Sequence, residues 1–188
     1  MLLIITLIAL LFLLFLRIDK KNIYSKNRKI AMELGINYID SIKKIKHTFN
    51  NPSVMFDIDD TLIESSTGRQ IKPIVKLLNK CASDGYGIIL ITARDSRFFT
   101  KYTETELYNK GIDYDILILR NPKYDDFYTF KSKKKKLLSE SDIDIVMSVG
   151  DQLHDISGDY SGYSIKLPSY DDNRLFHLNN NRQLEEVR

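Results

Sequence analysis

Val54-Met55-Phe56-Asp57-Ile58-Asp59-Asp60-Thr61-Leu62 is an apolar run that ends in a burst of carboxylates. Asn51-Pro52-Ser53 breaks the chain just before it. The apolar residues read as a short buried strand. Asp57 and Asp59 are one residue apart, so they would share a face if strand geometry ran on. The same grammar recurs downstream. An apolar run at 87–91 is followed by Thr92-Ala93-Arg94, and another at 143–149 by Gly150-Asp151-Gln152-Leu153-His154-Asp155. Further strands are predicted at 116–119 and 163–167. Helical spacing predicts helices over 72–83, 96–109 and 132–139. Strands alternating with helices argue for an α/β fold, a mainly parallel sheet covered on both faces.

In such a sheet, ligands bind beyond the carboxyl ends of the strands. The residues that close each strand are therefore the informative ones. Acids, a threonine and Lys131, at the start of the helix before the fourth strand, converge on one rim. That many carboxylates repel one another unless a cation neutralises them. Oxygen ligands without paired histidines or cysteines favour a hard ion, and Mg²⁺ fits. Two carboxylates at one reacting centre can also divide labour, one as nucleophile and the other as proton carrier.

In these features the chain resembles the haloacid dehalogenase (HAD) superfamily of aspartate-nucleophile phosphatases. Four motifs stand in order: strand then Asp57-x-Asp59-x-Thr61, strand then Thr92, Lys131, and strand then Gly150-Asp151 with Asp155. Phe130-Lys131-Ser132, Gly158 and Lys166-Leu167-Pro168 narrow the likeness to the acid-phosphatase branch, subfamily IIIB. That branch includes class B-type acid phosphatases and plant vegetative storage proteins. The resemblance covers about residues 50–170. Leu153-His154 departs from it, since the branch often has Trp and Ser there.

The resemblance implies a Rossmann-like three-layer sandwich and a set of roles. Asp57 is the nucleophile, and Asp59 protonates the leaving alcohol and then activates water. Thr92, with Ala93, and Lys131 bind the phosphoryl oxygens. Mg²⁺ is held by Asp57, the Asp59 main-chain carbonyl and Asp151, with Asp155 ligating or supporting through water. Some storage-protein relatives lack the nucleophile, whereas Asp57 is present here. Arg94 is expected to bind substrate or to pair with Asp60 or Asp95. Lys133 to Lys136 are expected to form a solvated face, and the aromatic segment 124–130 to pack. His154 is expected to be structural or exposed.

Outward from this region, residues 1–16 read MLLIITLIALLFLLFL and carry no charged side chain. A membrane-spanning helix needs about 20 apolar residues, about 17 at the least. Ile18 extends the run and Arg17 can snorkel. No small-x-small cleavage site follows it, so an uncleaved anchor over 1–18 is expected rather than a removed signal. Residues 17–30 hold six basic side chains against Asp19. That flank predicts a single-pass membrane protein with its catalytic domain on the cytoplasmic side. A basic linker and amphipathic helix are expected over 19–49, the phosphatase domain over 50–170, and a polar tail over 171–188.

Composition agrees with a packed domain: 43% hydrophobic and 28% charged, with 8 Gly and 4 Pro in 188 residues. The net charge of +3 arises from the 17–30 junction, because the remaining residues sum to −2. The sequence pI of 8.8 is therefore weak evidence for nucleic-acid binding. Cys81 is the only cysteine, which excludes an intramolecular disulfide and a Cys-rich zinc site. Only 34 residues separate Asp57 from Thr92 and 38 separate Thr92 from Lys131. Neither gap holds a full cap domain, and the segment 64–70 is the obvious flap. The expected partner is a phosphorylated small molecule or a larger phosphomonoester. The alternatives are a nucleic-acid end phosphatase, or a catalytically idle membrane-anchored binding or scaffold protein.

Overall fold

The computed structural model describes residues 2–169, 172, 174–178 and 184–186; residues 2–21 other than Thr6, and residues 178 and 184, are described by backbone alone. In chain order the elements are α1 (Leu2–Ile42), a 3-10 helix (Lys43–Thr48), β1 (Ser53–Phe56), β2 (Ile63–Glu64), β3 (Arg69–Gln70) and α2 (Lys72–Ser83). Then come β4 (Gly87–Asp95), α3 (Ser96–Asn109), β5 (Ile116–Arg120), α4 (Phe130–Ser139), β6 (Ile145–Gly150), α5 (Leu153–Ile156), β7 (Tyr163–Lys166), β8 (Phe176–Leu178) and β9 (Leu184–Glu186).

Seven strands form one sheet in the order β5-β4-β1-β6-β7-β8-β9. Pairing is parallel from β5 through β7 and antiparallel at β8 and β9. The sheet is thus mostly parallel, as expected. The stretch after residue 170, expected as a polar tail, contributes its two antiparallel edge strands. The pattern hid them because each is three residues long and is held by its neighbours, β8 by β7 and β9, and β9 by β8.

Burial follows the two-residue strand period. Val54, Phe56, Ile88 and Leu90 join one core cluster with Leu77, Leu78 and Cys81 of α2 and Leu107 of α3. Met55, Ile89 and Ile91 face the other way, against Phe130 of α4. Two apolar layers flank the sheet, which makes the three-layer sandwich. Each large side chain so buried contributes about 1.5–3 kcal/mol relative to exposure.

The amphipathic helix expected within 19–49 is α1 up to Ile42, with a 3-10 helix after it. It packs on the domain: Ala31, Ile39 and Ile42 are core residues. Tyr38 stacks on Tyr163 at 4.3 Å between ring centres. Gly35, which weakens the helical pattern, has a structural reason. A Cβ there would lie 2.6 Å from Leu77, so glycine permits the close α1–α2 crossing. Lys43 reaches the Asp84 carboxylate, and Lys46 the Asp84 and Gly85 carbonyls, at the end of α2. The anchor expected over 1–18 rests on side chains outside the described residues. Among the described residues no helix is long and apolar enough to cross a membrane.

Candidate active site

β1 lies between β4 and β6, so the chain leaves it in opposite directions on its two sides. That switch point opens a crevice at the carboxyl end of β1. Asp57 sits there, its amide donating to the Val149 carbonyl at 3.0 Å. The chain then turns tightly. The Ile58 carbonyl accepts from Leu62 and Ile63, and Asp60 takes a positive φ of 56°, which aspartate tolerates. The turn leads into the β2–β3 hairpin, which is the flap expected over 64–70.

Four of the expected residues meet in a buried cluster. Lys131 is 1% exposed and bridges two acids. Its ammonium donates to an Asp57 oxygen and lies 2.7 Å from Asp155 Oδ1. Asp57, Asp151 and Asp155 offer oxygens that all lie within 4.8 Å of one another. Burial pushes the Asp57 carboxyl well above the usual range; Lys131 pulls it back, while Asp155 and Asp151 raise it further. Burial, then Asp155, raises Asp151 to about 6. Lys131 loses basicity to burial, but Asp57 and Asp155 outweigh that and hold it above its ordinary value. Three buried carboxylates share one bridging ammonium, so with all three ionised the cluster would carry excess negative charge; burial and that repulsion push Asp57 and Asp151 toward the neutral form. An oxygen donor set of this size fits a hard divalent cation.

The loop after β6 is shaped for this. A Cβ at Gly150 would fall 2.2 Å from the Asp155 Cβ, so glycine is what lets Asp155 approach. Asp155 Oδ2 accepts from the Gln152 amide at 2.8 Å, and Gln152 Nε2 donates to Asp151 at 2.7 Å. His154 lies 3.5 Å from Asp155 and against the Phe127 ring, and burial lowers its pKa.

Asp59 stands apart from the cluster. Arg94 grips its carboxylate with two bonds, Nε to Oδ2 at 2.9 Å and an η-nitrogen to Oδ1 at 2.7 Å. The same guanidinium reaches Glu106 at 2.8 Å and Thr103 at 3.2 Å. Arg94 therefore pairs with Asp59, not with Asp60 or Asp95. The reason is strand alternation: Thr92 and Arg94 share a face of β4, and the Thr92 hydroxyl is 3.5 Å from Asp59. Asp95 instead caps α3, accepting from the Arg97 amide. The Ala93 carbonyl accepts from Arg120 at 3.3 Å.

Lys135 departs from expectation. It is 0% exposed, not part of a solvated face. Its ammonium donates to the Asp155 carbonyl at 2.9 Å, the Ser157 carbonyl at 2.8 Å and Ser161 Oγ at 2.6 Å. Three acceptors match its three protons. Burial nevertheless pulls its pKa down to about 7. The available signal was spacing: Lys131 and Lys135 are one helical turn apart on the face that meets the sheet. Cys81 is buried, its thiol pushed up to about 12, and takes no part in the site.

A cleft of about 340 Å³ opens beside Asp59. The hairpin (Ile63, Glu64, Ser65, Gly68), the end of β4 (Arg94, Asp95) and α3 (Phe99, Tyr102, Glu106) line it. Arg28 of α1 reaches Glu64 from outside at 3.4 Å.

The profile of HAD superfamily subfamily IIIB, the acid phosphatases, matches residues 63–182. The match begins after Asp57 and Asp59 and takes in Thr92, Lys131, Asp151 and Asp155. Curated proteins give no match. Among solved structures, two similar chains are those titled "Structure of Pnkp1/Rnl/Hen1 complex" and "Structure of the Pnkp1/Rnl/Hen1 RNA repair complex". Each is 23% identical with a TM-score of 0.47, and each alignment covers 55% of this chain and 40% or 37% of the other. The chain thus spans about two fifths of the length of those structures. On the profile match over more than half its length, the chain belongs to the HAD superfamily, subfamily IIIB (acid phosphatase).

Proposed function

We propose that the protein is a membrane-anchored, Mg²⁺-dependent phosphomonoesterase that works through an aspartyl-phosphate on Asp57. The observation that carries this is the buried cluster in which Lys131 bridges Asp57 and Asp155, with Asp151 alongside. Asp57, Asp151 and Asp155, with the Asp59 carbonyl, would hold the Mg²⁺ ion, which supplies the positive charge that draws electron density from the phosphoryl oxygens. Lys131 adds a second positive charge at the same place, pulls the Asp57 carboxyl back toward its anionic form and orients it for attack. Thr92 and the backbone at Ala93 complete the phosphoryl pocket.

Asp57 attacks phosphorus and the bond to the alcohol oxygen breaks. Asp59 at the mouth of the cleft, once protonated with one oxygen released from the Arg94 grip, would give that proton to the alcohol oxygen. The freed alcohol leaves through the cleft. Asp59 then takes a proton from a water that attacks the phosphoryl group, releasing Asp57 and inorganic phosphate. Residues 1–18 would anchor the chain, with the basic 17–30 flank holding the domain on the cytoplasmic side. The test is hydrolysis of nitrophenyl phosphate by the full chain in detergent. Turnover should stop with chelator, return with Mg²⁺ and be absent from Asp57→Asn. Turnover that survives chelation would remove the metal from the mechanism.

A further inference from the structure

We infer that the catalytic mouth faces the bilayer, and that the substrate is a phosphomonoester carried by a membrane lipid rather than one free in solution. This rests on the reading of the chain as a membrane-anchored phosphatase and adds to it a direction and a substrate class. The first observation is the course of α1. At Tyr24 its side chain bonds the Ser169 carbonyl, just past the carboxyl end of β7. At Arg28 it meets Glu64 of the hairpin over the cleft. Beyond its other end, Lys46 bonds Asp84 and Gly85, just before β4 begins. So α1 runs antiparallel to the parallel strands, and its apolar run continues from the catalytic rim, not from the opposite face. Ile18 and Tyr24 are about 9 Å apart along a helix axis. A headgroup layer is about 5–8 Å deep. An anchor over 1–18 therefore sets the rim close to the lipid headgroups.

The second observation is the rim itself. Phe98 and Phe99 of the first turn of α3, and Tyr124, Phe127 and Tyr128 after β5, are exposed; Phe98, Tyr124 and Tyr128 are 74%, 73% and 72% accessible. Cations lie over several of them: Arg97 is 5.2 Å from the Phe98 ring centre, Lys123 5.1 Å from Tyr124 and Arg120 5.1 Å from Phe127. Exposed aromatics beside basic side chains suit a lipid–water interface carrying anionic headgroups. The basic 17–30 segment on the same side adds to that attraction.

The third observation is the cleft where the alcohol half must sit. Ile63, Phe99 and Tyr102 give it apolar surface, and its lining carboxylates outnumber its one guanidinium, which is committed to Asp59 and Glu106. An apolar, uncharged alcohol such as a lipid glyceride fits there. A leaving group with further phosphates, as at a nucleic-acid end, meets repulsion.

The test uses the full chain reconstituted in phosphatidylcholine vesicles containing phosphatidic acid, with Mg²⁺. Glycerol 3-phosphate, nitrophenyl phosphate and a 5′-phosphorylated single-stranded oligonucleotide are compared in the same vesicles. The lipid ester should be turned over with a kcat/KM about 10²-fold above glycerol 3-phosphate, as surface confinement raises effective concentration. Combined Phe98→Ser, Tyr124→Ser and Tyr128→Ser should remove most of that advantage and spare nitrophenyl phosphate. A flexible Gly-Ser spacer inserted between Lys21 and Asn22 should do the same. Hydrogen exchange gives a readout free of turnover: segments 98–102 and 124–128 should be slowed in vesicles for the native chain and not for the spacer variant. Equal turnover of lipid and soluble esters with an unprotected rim overturns the inference and leaves the phosphatase intact. Preference for the oligonucleotide overturns it in favour of nucleic acid. Absence of turnover on every ester sinks the phosphatase reading; rim protection then still supports the orientation, and its absence overturns it.

Discussion

Replacing Lys135 with Met probes the charge that α4 hides beneath the acidic cluster. Two effects oppose each other. The ammonium serves two carbonyls and Ser161 Oγ at 2.6–2.9 Å. Bonds from a charged donor are worth about 1.5–3 kcal/mol each, so their loss costs several kcal/mol. Against this, burial depresses the Lys135 pKa to about 7, below the unfolded value of about 10.4. The native state therefore binds fewer protons than the unfolded chain between those values, and its stability rises with pH across that window. From about pH 6.5 to about pH 9 the gain is about 2.5 kcal/mol. Methionine does not titrate and lacks this gain. Urea unfolding of both proteins in chelator should show the native chain's advantage growing by about 2.5 kcal/mol over that range. A difference that stays flat with pH refutes the desolvated-ammonium reasoning. Because Lys135 also holds the Asp155 carbonyl, the Mg²⁺ concentration for half-maximal activity should rise about tenfold or more in Lys135→Met.

Asp57→Asn should abolish turnover, whereas Asp59→Asn should lose about 10²–10⁴-fold and, with a nitrophenyl ester, accumulate phosphate on Asp57 in a rapid-quench burst; an adduct on any other residue would overturn the assignment. Arg94→Met should lower kcat for an alkyl phosphate by about 10²-fold, with less loss on nitrophenyl phosphate, and Arg94→Lys should rescue little because the Asp59 grip is two-pronged; equal losses on both esters would place Arg94 on the phosphate instead. Asp151 has a folded pKa raised to about 6, so the stability of the chelated protein should fall as pH rises from about 4 through about 6, by up to about 3 kcal/mol from this group. Mg²⁺ should accordingly raise the melting temperature more at neutral pH than at pH 5, and a metal-induced shift independent of pH would count against Asp151 as a ligand.

Much of the architecture was legible locally. Apolar runs bounded by Gly, Pro and Asn located β1, β4, β5, β6 and β7, and three-to-four-residue spacing located α2 and α3 at their observed bounds. The residues of the acidic cluster were legible for the same reason, since each closes a strand or opens a helix. Strand ends converge in a parallel sheet whatever the strand order, so Asp57, Asp151, Asp155 and Lys131 could be named together without knowing the neighbours.

What the linear pattern could not supply depends on who lies next to whom. The sequence offered Arg94 substrate, Asp60 or Asp95, and only the β1–β4 register put Asp59 within its reach. Lys135 sits in a run of four lysines, and only the packing of α4 on the 155–161 loop separates the fully buried one from the other three. β8 and β9 have too few residues for a period and form by pairing along the edge that β7 leaves open. The sequence by itself determined the secondary elements and the chemistry at their ends, because those follow from local periodicity and residue type. The tertiary structure alone decided which charges pair, which lysine is buried and on which side of the domain α1 emerges, because those depend on distances between residues far apart in the chain.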